Sequence, residues 1–191
     1  MRWLLLYARS RRVPASATVI ALTALAAWIF LDEDGKEPVD PRVPALLLCM
    51  GVAAASVGLG GPDAALERTA AIRWAPRRAV HVLLIGTAVG VVLSAVHAWG
   101  AELAPAGFLV RDSAGLTGLA ALGATVCGAQ YAWTLPTGWL AFTLSAPPQT
   151  GIAGQVGGWL LSPAGTTAAA WTASVLLATG LLLYATVGPR R

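Results

Sequence analysis

Charge is what this sequence has least of. Only 12% of its 191 residues are charged, against 57% hydrophobic, and the mean hydropathy is +0.68. A soluble domain carries about 25% charged residues. So little charge cannot coat a water-facing surface, and the solvent implied is lipid. A membrane β-barrel would alternate apolar and polar residues along each strand, whereas the runs here are apolar all round. Lysine is nearly missing. The one lysine, Lys36, stands among acids in DEDGKEP. A phosphate-binding loop of the form G-x-x-x-x-G-K-[ST] needs a lysine that reaches the phosphates, so any nucleotide-driven work must be powered by another subunit. Cysteine is scarce too. Cys49 and Cys127 each lie in an apolar run and read as small buried hydrophobes, not as a disulfide or a metal site.

The two histidines carry no H-E-x-x-H context. His81 and His97 are sixteen residues apart on one expected helix, about 24 Å at a rise of 1.5 Å per residue, so they could not ligate one haem iron. Ser94 and His97 share a helical face at i, i+3, but no G-x-S-x-G elbow accompanies them. The alternative is a helix-end histidine that is hydrated or hydrogen-bonded. Acids and bases are also lacking from the middles of the expected spans, which argues against a proton- or sodium-coupled carrier working alone. Gln130, Thr125, Thr143 and Gln149 are the modest polar exceptions. No catalytic constellation emerges, and no enzyme is expected.

What is present is an order of apolar runs and charged breaks, and it predicts an all-α polytopic bundle with six transmembrane segments. Residues 1–12, with Trp3, Leu4, Leu6 and Tyr7 on one face and arginines beside them, read as an amphipathic interfacial helix; the n-region of a signal peptide is the alternative. Residues 13–31 form a first span with Pro14 in its first turn. Residues 32–42, DEDGKEPVDPR, form an acidic outer loop. Further spans are expected at 44–60, 79–99, 113–133 and 166–187. An outer loop at 100–112 carries Glu102, Arg111 and Asp112, and an uncharged inner turn at 134–138 surrounds Pro136. The fifth segment, 139–161, is interrupted by Pro147 and Pro148 and followed by Gly151, Gly154, Gly157 and Gly158. Such a backbone at membrane depth must be covered by protein or line a cavity, so a short helix, a break and a re-entrant piece on the outer side are expected.

Charge distribution orients these spans. Ten of the 13 basic residues fall in the expected inner segments and seven of the nine acids in the outer ones, which places both termini in the cytoplasm. The net charge of +4 therefore reflects topology and anionic lipid, not nucleic acid. The pairs Gly86/Gly90 and Gly154/Gly158 match G-x-x-x-G and point to close packing.

Residues 61–81, GPDAALERTAAIRWAPRRAVH, are the richest stretch. Pro62 and Asp63 suit a helix start. Glu67, Arg68, Arg73, Trp74, Arg77 and Arg78 then give a mixed ionic and aromatic surface, and Trp and Arg are favoured interface anchors. Two readings stand side by side: a docking surface for a partner protein, or an ordinary positive-inside loop with Trp74 at the headgroups.

Two stretches carry a family likeness. One is PDAALERTAAIRWAPRRAVH, with D-x-x-L-E-R-T followed by R-x-x-H. The other is RDSAGLTGLAALGATVCGAQYAWTLP, with R-D-x-x-G-L-x-G-L at its start and A-W-x-x-P at its end. Together with the layout over nearly the whole chain, they resemble the transmembrane (permease) subunit of a type-2 ABC exporter, in the small six-helix form of GC-rich bacteria, a source the excess of arginine over lysine also fits. The resemblance implies an N-terminal elbow helix at 1–12, a cytoplasmic coupling loop at 61–78 whose Asp63, Glu67, Arg68, Arg73, Trp74, Arg77 and Arg78 contact P-loop ATPase subunits, and re-entrant structure at 147–163, with Pro147, Pro148 and Gly154 at the break. It implies dimerisation with a second permease subunit, identical or a sister, in the bacterial cytoplasmic membrane. ATP and Mg would sit on the partner ATPase, with no cofactor in this chain. The short second span and the uncharged turn between spans four and five depart from the pattern. The alternative function is an accessory or scaffolding membrane protein without transport activity of its own.

Overall fold

In a computed structural model, the chain is described at residues 18, 21, 22, 24, 25 and 28 and over 40–60, 74–100, 103–147 and 151–190. The ordered elements are helical throughout: α1 (Arg42–Ser56), α2 (Trp74–Ala98), α3 (Ala106–Val126), α4 (Thr134–Ser145), α5 (Ile152–Gly157) and α6 (Thr167–Thr186), with 3₁₀ turns at Val57–Leu59, Ala129–Tyr131 and Trp159–Leu161. Among the described residues, three stretches are long and apolar enough to cross a membrane: Arg42–Leu59, Trp74–Ala98 and Thr167–Thr186. They coincide closely with the expected second, third and sixth spans. The elbow helix and all but scattered residues of the first span lie outside the described residues.

Local chemistry sets the helix ends. The Asp40 carboxylate accepts the Arg42 N–H at 2.9 Å, and Pro41 and Pro44 fall where a missing N–H is tolerated. The Leu59 carbonyl, at the far end of α1, accepts the Tyr184 hydroxyl at 2.6 Å, and His81 Nε2 lies 3.2 Å from the Gly58 carbonyl oxygen. The chain beyond α6 folds back, so that the Arg190 N–H donates to the Ala124 carbonyl and the Ala129 N–H to that of Arg190. The end of α1, the start of α2 and the ends of α3 and α6 are thereby tied together. Call this the Tyr184 end, and the opposite one the Asp40 end.

α3 is the axis of the bundle. Fifteen of its 21 residues are buried, compared with eight of 15 in α1 and four of 20 in α6. Its glycines let neighbours approach at backbone distance. A Cβ on Gly118 would run into the Leu176 backbone, one on Gly180 into the Gly118 carbonyl, and one on Gly115 into the Trp159 ring. On α2, a Cβ at Gly86 would lie 2.8 Å from Thr117 Oγ1 and one at Gly90 2.9 Å from Ser113 Oγ. The first G-x-x-x-G pair thus packs α2 on α3 within the chain.

The fourth segment departs from the sequence expectation. The helix occupies 106–126, seven residues earlier than the expected span 113–133, and Arg111 and Asp112 lie inside it, not in an outer loop. Gly128, at φ 108°, makes the turn that was expected at 134–138, a conformation open to glycine at little cost. Residues 134–138 instead open α4, where Pro136 is tolerated in the first turn. The expected break in the fifth segment is present. α4 is 12 residues long, about 18 Å and so well short of a bilayer core of about 30 Å. Ala146 is extended, as suits a residue before proline, and the chain resumes in α5 and the Trp159–Leu161 turn.

Candidate functional site

The bundle's most unusual chemistry is the buried charge pair on α3. Arg111 is 9% exposed and Asp112 fully buried. Arg111 Nε donates to Asp112 Oδ1 at 2.7 Å. Its two terminal nitrogens donate to the carbonyls of Pro163 at 2.9 Å and Ser162 at 2.8 Å. The guanidinium also lies 5.0 Å from the Phe108 ring centroid. Every guanidinium nitrogen is therefore used, in the planar fork that arginine provides. A charge in the interior persists only when paired and hydrogen-bonded, and here the pairing also fixes the turn after Trp159. Asp112 Oδ2 has no hydrogen-bond partner. Trp159, itself fully buried, lays its ring over Gly115 and toward Ala173. The broken α4–α5 segment is so held against α3 by one side-chain fork and one indole.

The expectation that Arg111 and Asp112 belong to an outer loop is overturned: both lie buried in the second turn of α3. A signal was available: adjacent opposite charges with apolar sequence on both sides, at the head of R-D-x-x-G-L-x-G-L. The structure gives that pattern a physical content, because Arg111 holds the turn, Gly115 admits Trp159 and Gly118 admits α6. In A-W-x-x-P, Ala132 brings its carbonyl against Gly123.

Of the expected partner-facing residues, Asp63, Glu67, Arg68 and Arg73 lie outside the described residues. Trp74, Arg77 and Arg78 belong to the first turns of α2, continuous with the span; Pro76 sits early enough in the helix not to break it. Arg77 is exposed and stacks 5.7 Å from the Trp74 ring centroid. Arg78 presses on Gly188, where an added Cβ would come within 2.6 Å of a guanidinium nitrogen. At the break, Pro147 is exposed and Gly154 half-buried, and Pro148 is outside the described residues. Cys49 is buried as expected. Cys127 is exposed, because α3 ends one residue before it and not six residues beyond it.

Three cavities flank these features. One, of about 500 Å³, runs along α2, α3 and α6 and includes Ser94, Ser113 and Thr117. A second, of about 320 Å³, lies between Arg42, α4 and α5 and includes Gly154 and Leu161. A third, of about 660 Å³, opens at the Asp40 end beside His97, Phe108 and Leu161. Ser94 lines the first of these and His97 the third. Among the described residues, no cluster of three His, Cys, Asp or Glu could hold a metal ion. Comparison with models of protein families, with curated proteins and with solved structures finds no match to this chain.

Proposed function

We propose that this chain is the membrane-spanning permease subunit of an ATP-driven exporter, with hydrolysis supplied by a separate P-loop ATPase. In this reading it crosses the bacterial cytoplasmic membrane six times: residues 13–31, α1, α2, α3, the broken α4–α5 segment and α6. The Tyr184 end is cytoplasmic. There Arg78 packs against Gly188 and Arg190 is hydrogen-bonded to Ala124, with Arg77 beside them in the first turns of α2, as the preference for positive charge inside demands. The chain works beside a second permease subunit, identical or a sister.

The observation that carries the reading is how the two ends of the 61–73 loop are mounted. Leu59, just before it, is hydrogen-bonded to Tyr184 of α6. Arg78, just after it, is packed on Gly188 beyond α6, and His81 reaches back to Gly58. A loop so anchored passes a push from a bound partner into α1, α2 and α6 together, as rigid-body movement of a bundle requires. Broken helices sheltered by protein, as α4 and α5 are by Arg111 and Trp159, are also the kind of backbone that lines transport paths.

Two measurements test it. Replacing Glu67 and Arg73 by alanine should weaken co-purification of the ATPase while membrane insertion stays intact; unchanged ATPase binding would remove the coupling role of the loop. For topology, the exposed native Cys127 should react with an impermeant maleimide only after the membrane is opened, and Lys36→Cys should react from outside in intact cells. Gly188 is a poor position for such a probe, because its φ of 79° strains any residue with a side chain.

A further inference from the structure

Charge is unevenly spread over the two ends of the bundle. At the Tyr184 end stand Arg77 and Arg190, both exposed, and the half-buried Arg78. Among the described residues the acids are Asp40 and Asp112, and both lie at the other end, one before α1 and one in the second turn of α3. In the adjoining loop 61–73, Asp63 and Glu67 are matched in number by Arg68 and Arg73. The positive surplus therefore comes from Arg77, Arg78 and Arg190 themselves.

Backbone contacts hold these arginines in place. Arg77 and Arg78 belong to the first turns of α2. The Arg190 N–H donates to the Ala124 carbonyl, its own carbonyl accepts from Ala129, and its guanidinium donates to the Val126 carbonyl at 3.4 Å. The Arg78 guanidinium packs on Gly188, two residues before Arg190, and so joins the start of α2 to the chain beyond α6.

Below the arginines the surface turns apolar. Arg77, Val80, Leu84 and Val91 stand at i, i+3, i+7 and i+14, on one face of α2, and all four are exposed. From Arg77 to Val91 the helix rises about 21 Å, more than the ~15 Å of hydrocarbon in one leaflet. Val126 and Val187 are exposed at the ends of α3 and α6. Tyr131 and Trp133, also exposed, are side chains of the kind that settle at headgroup level.

We infer that the Tyr184 end binds an anionic phospholipid, its phosphate on Arg77 and Arg190 and its acyl chains on the apolar faces below them. The planar guanidinium fork suits a phosphate. A free phosphate ion would engage the cations and leave the apolar faces untouched, whereas a phospholipid uses both. A zwitterionic headgroup brings a cation of its own, which the arginines repel. The inference needs this chain to lie in a membrane and needs no ATPase.

The test uses the full chain, without ATPase, in nanodiscs of equal parts phosphatidylglycerol and phosphatidylcholine with the same acyl chains. Native mass spectrometry counts the lipids that the released protein retains. Phosphatidylglycerol should be enriched at least about tenfold, since each arginine near an anionic surface contributes about fivefold. Arg77→Gln and Arg190→Gln, at exposed positions where substitution spares the fold, should each lower the enrichment at least about threefold. Together they should bring it close to parity, and Arg190→Lys should keep most of it. Inorganic phosphate should displace the lipid no better than chloride at the same ionic strength. Equal retention of the two lipids overturns the inference. So does an enrichment that survives the double Gln variant but is lost when Arg9, Arg11 and Arg12 are changed to Gln, and so does displacement by phosphate alone, which would mark a free-anion site.

Discussion

α3 and α6 are nearly the same length and lie side by side in the same direction, Gly115 against Ala173 and Gly118 against 176–177. Their surroundings are opposite. α6 is apolar enough to count as a membrane span yet buries only four residues, and Trp171, Val175, Leu182 and Val187 are exposed. α3 buries fifteen and carries an arginine, an aspartate and three buried glycines. In lipid, the apolar helix is the one that faces the solvent. The helix at the centre can be the less apolar one, since protein neighbours satisfy its charges and its small residues bring backbones together. Hydropathy thus finds the rim of this bundle and passes over its axis.

Breaking the charge pair should do the most damage. Arg111→Met leaves Asp112 buried without its partner and takes donors from Ser162 and Pro163, which should cost about 3–5 kcal/mol. The temperature at which detergent-purified protein aggregates should fall accordingly, and the 158–163 turn should become accessible to protease. The double variant Arg111→Met with Asp112→Leu should recover much of the loss; a double variant no better than the single would mean that the contact to the turn matters more than the buried charge.

Next comes the helix seam. Gly118→Val places a side chain against the Leu176 backbone and should cost about 1–3 kcal/mol or more. Leu182→Ala on the exposed face of α6 should stay within about 0.5 kcal/mol. Comparable losses at the two sites would erase the distinction between axis and rim. The smallest core effect is expected at the Tyr184 end, where Tyr184→Phe removes one buried hydrogen bond to Leu59. It should cost about 0.5–1.5 kcal/mol, or somewhat more through the unpaired carbonyl, measured on the same thermal scale.

The comparison also accounts for what could be read from residues alone. α1, α2 and α6 face apolar surroundings on most sides, so their apolar runs mark them within a few residues. The break after α4 was legible because prolines and glycines act locally, whatever packs around them. The start of α3 was not. Arg111 and Asp112 look like a water-facing loop until the carbonyls of Ser162 and Pro163, some fifty residues away in sequence, are known to receive the guanidinium. The true turn at Gly128 was hidden likewise, since nothing marks that glycine off from its neighbours without its backbone angles. Of the candidate partner surface, Trp74, Arg77 and Arg78 were legible as a basic aromatic patch. The contact of Arg78 with Gly188 was not, because it joins residues about 110 apart in sequence.

As proposed, this chain draws its energy from a partner and is mounted to receive that partner's push. The most direct measurement is gentle-detergent purification of a tagged copy from its native cell, followed by mass spectrometry of the proteins that accompany it. A stoichiometric subunit bearing a G-x-x-x-x-G-K-[ST] loop is the result predicted. Its absence across several detergent strengths, with the chain intact and folded, would contradict the permease reading and leave an accessory membrane protein in its place.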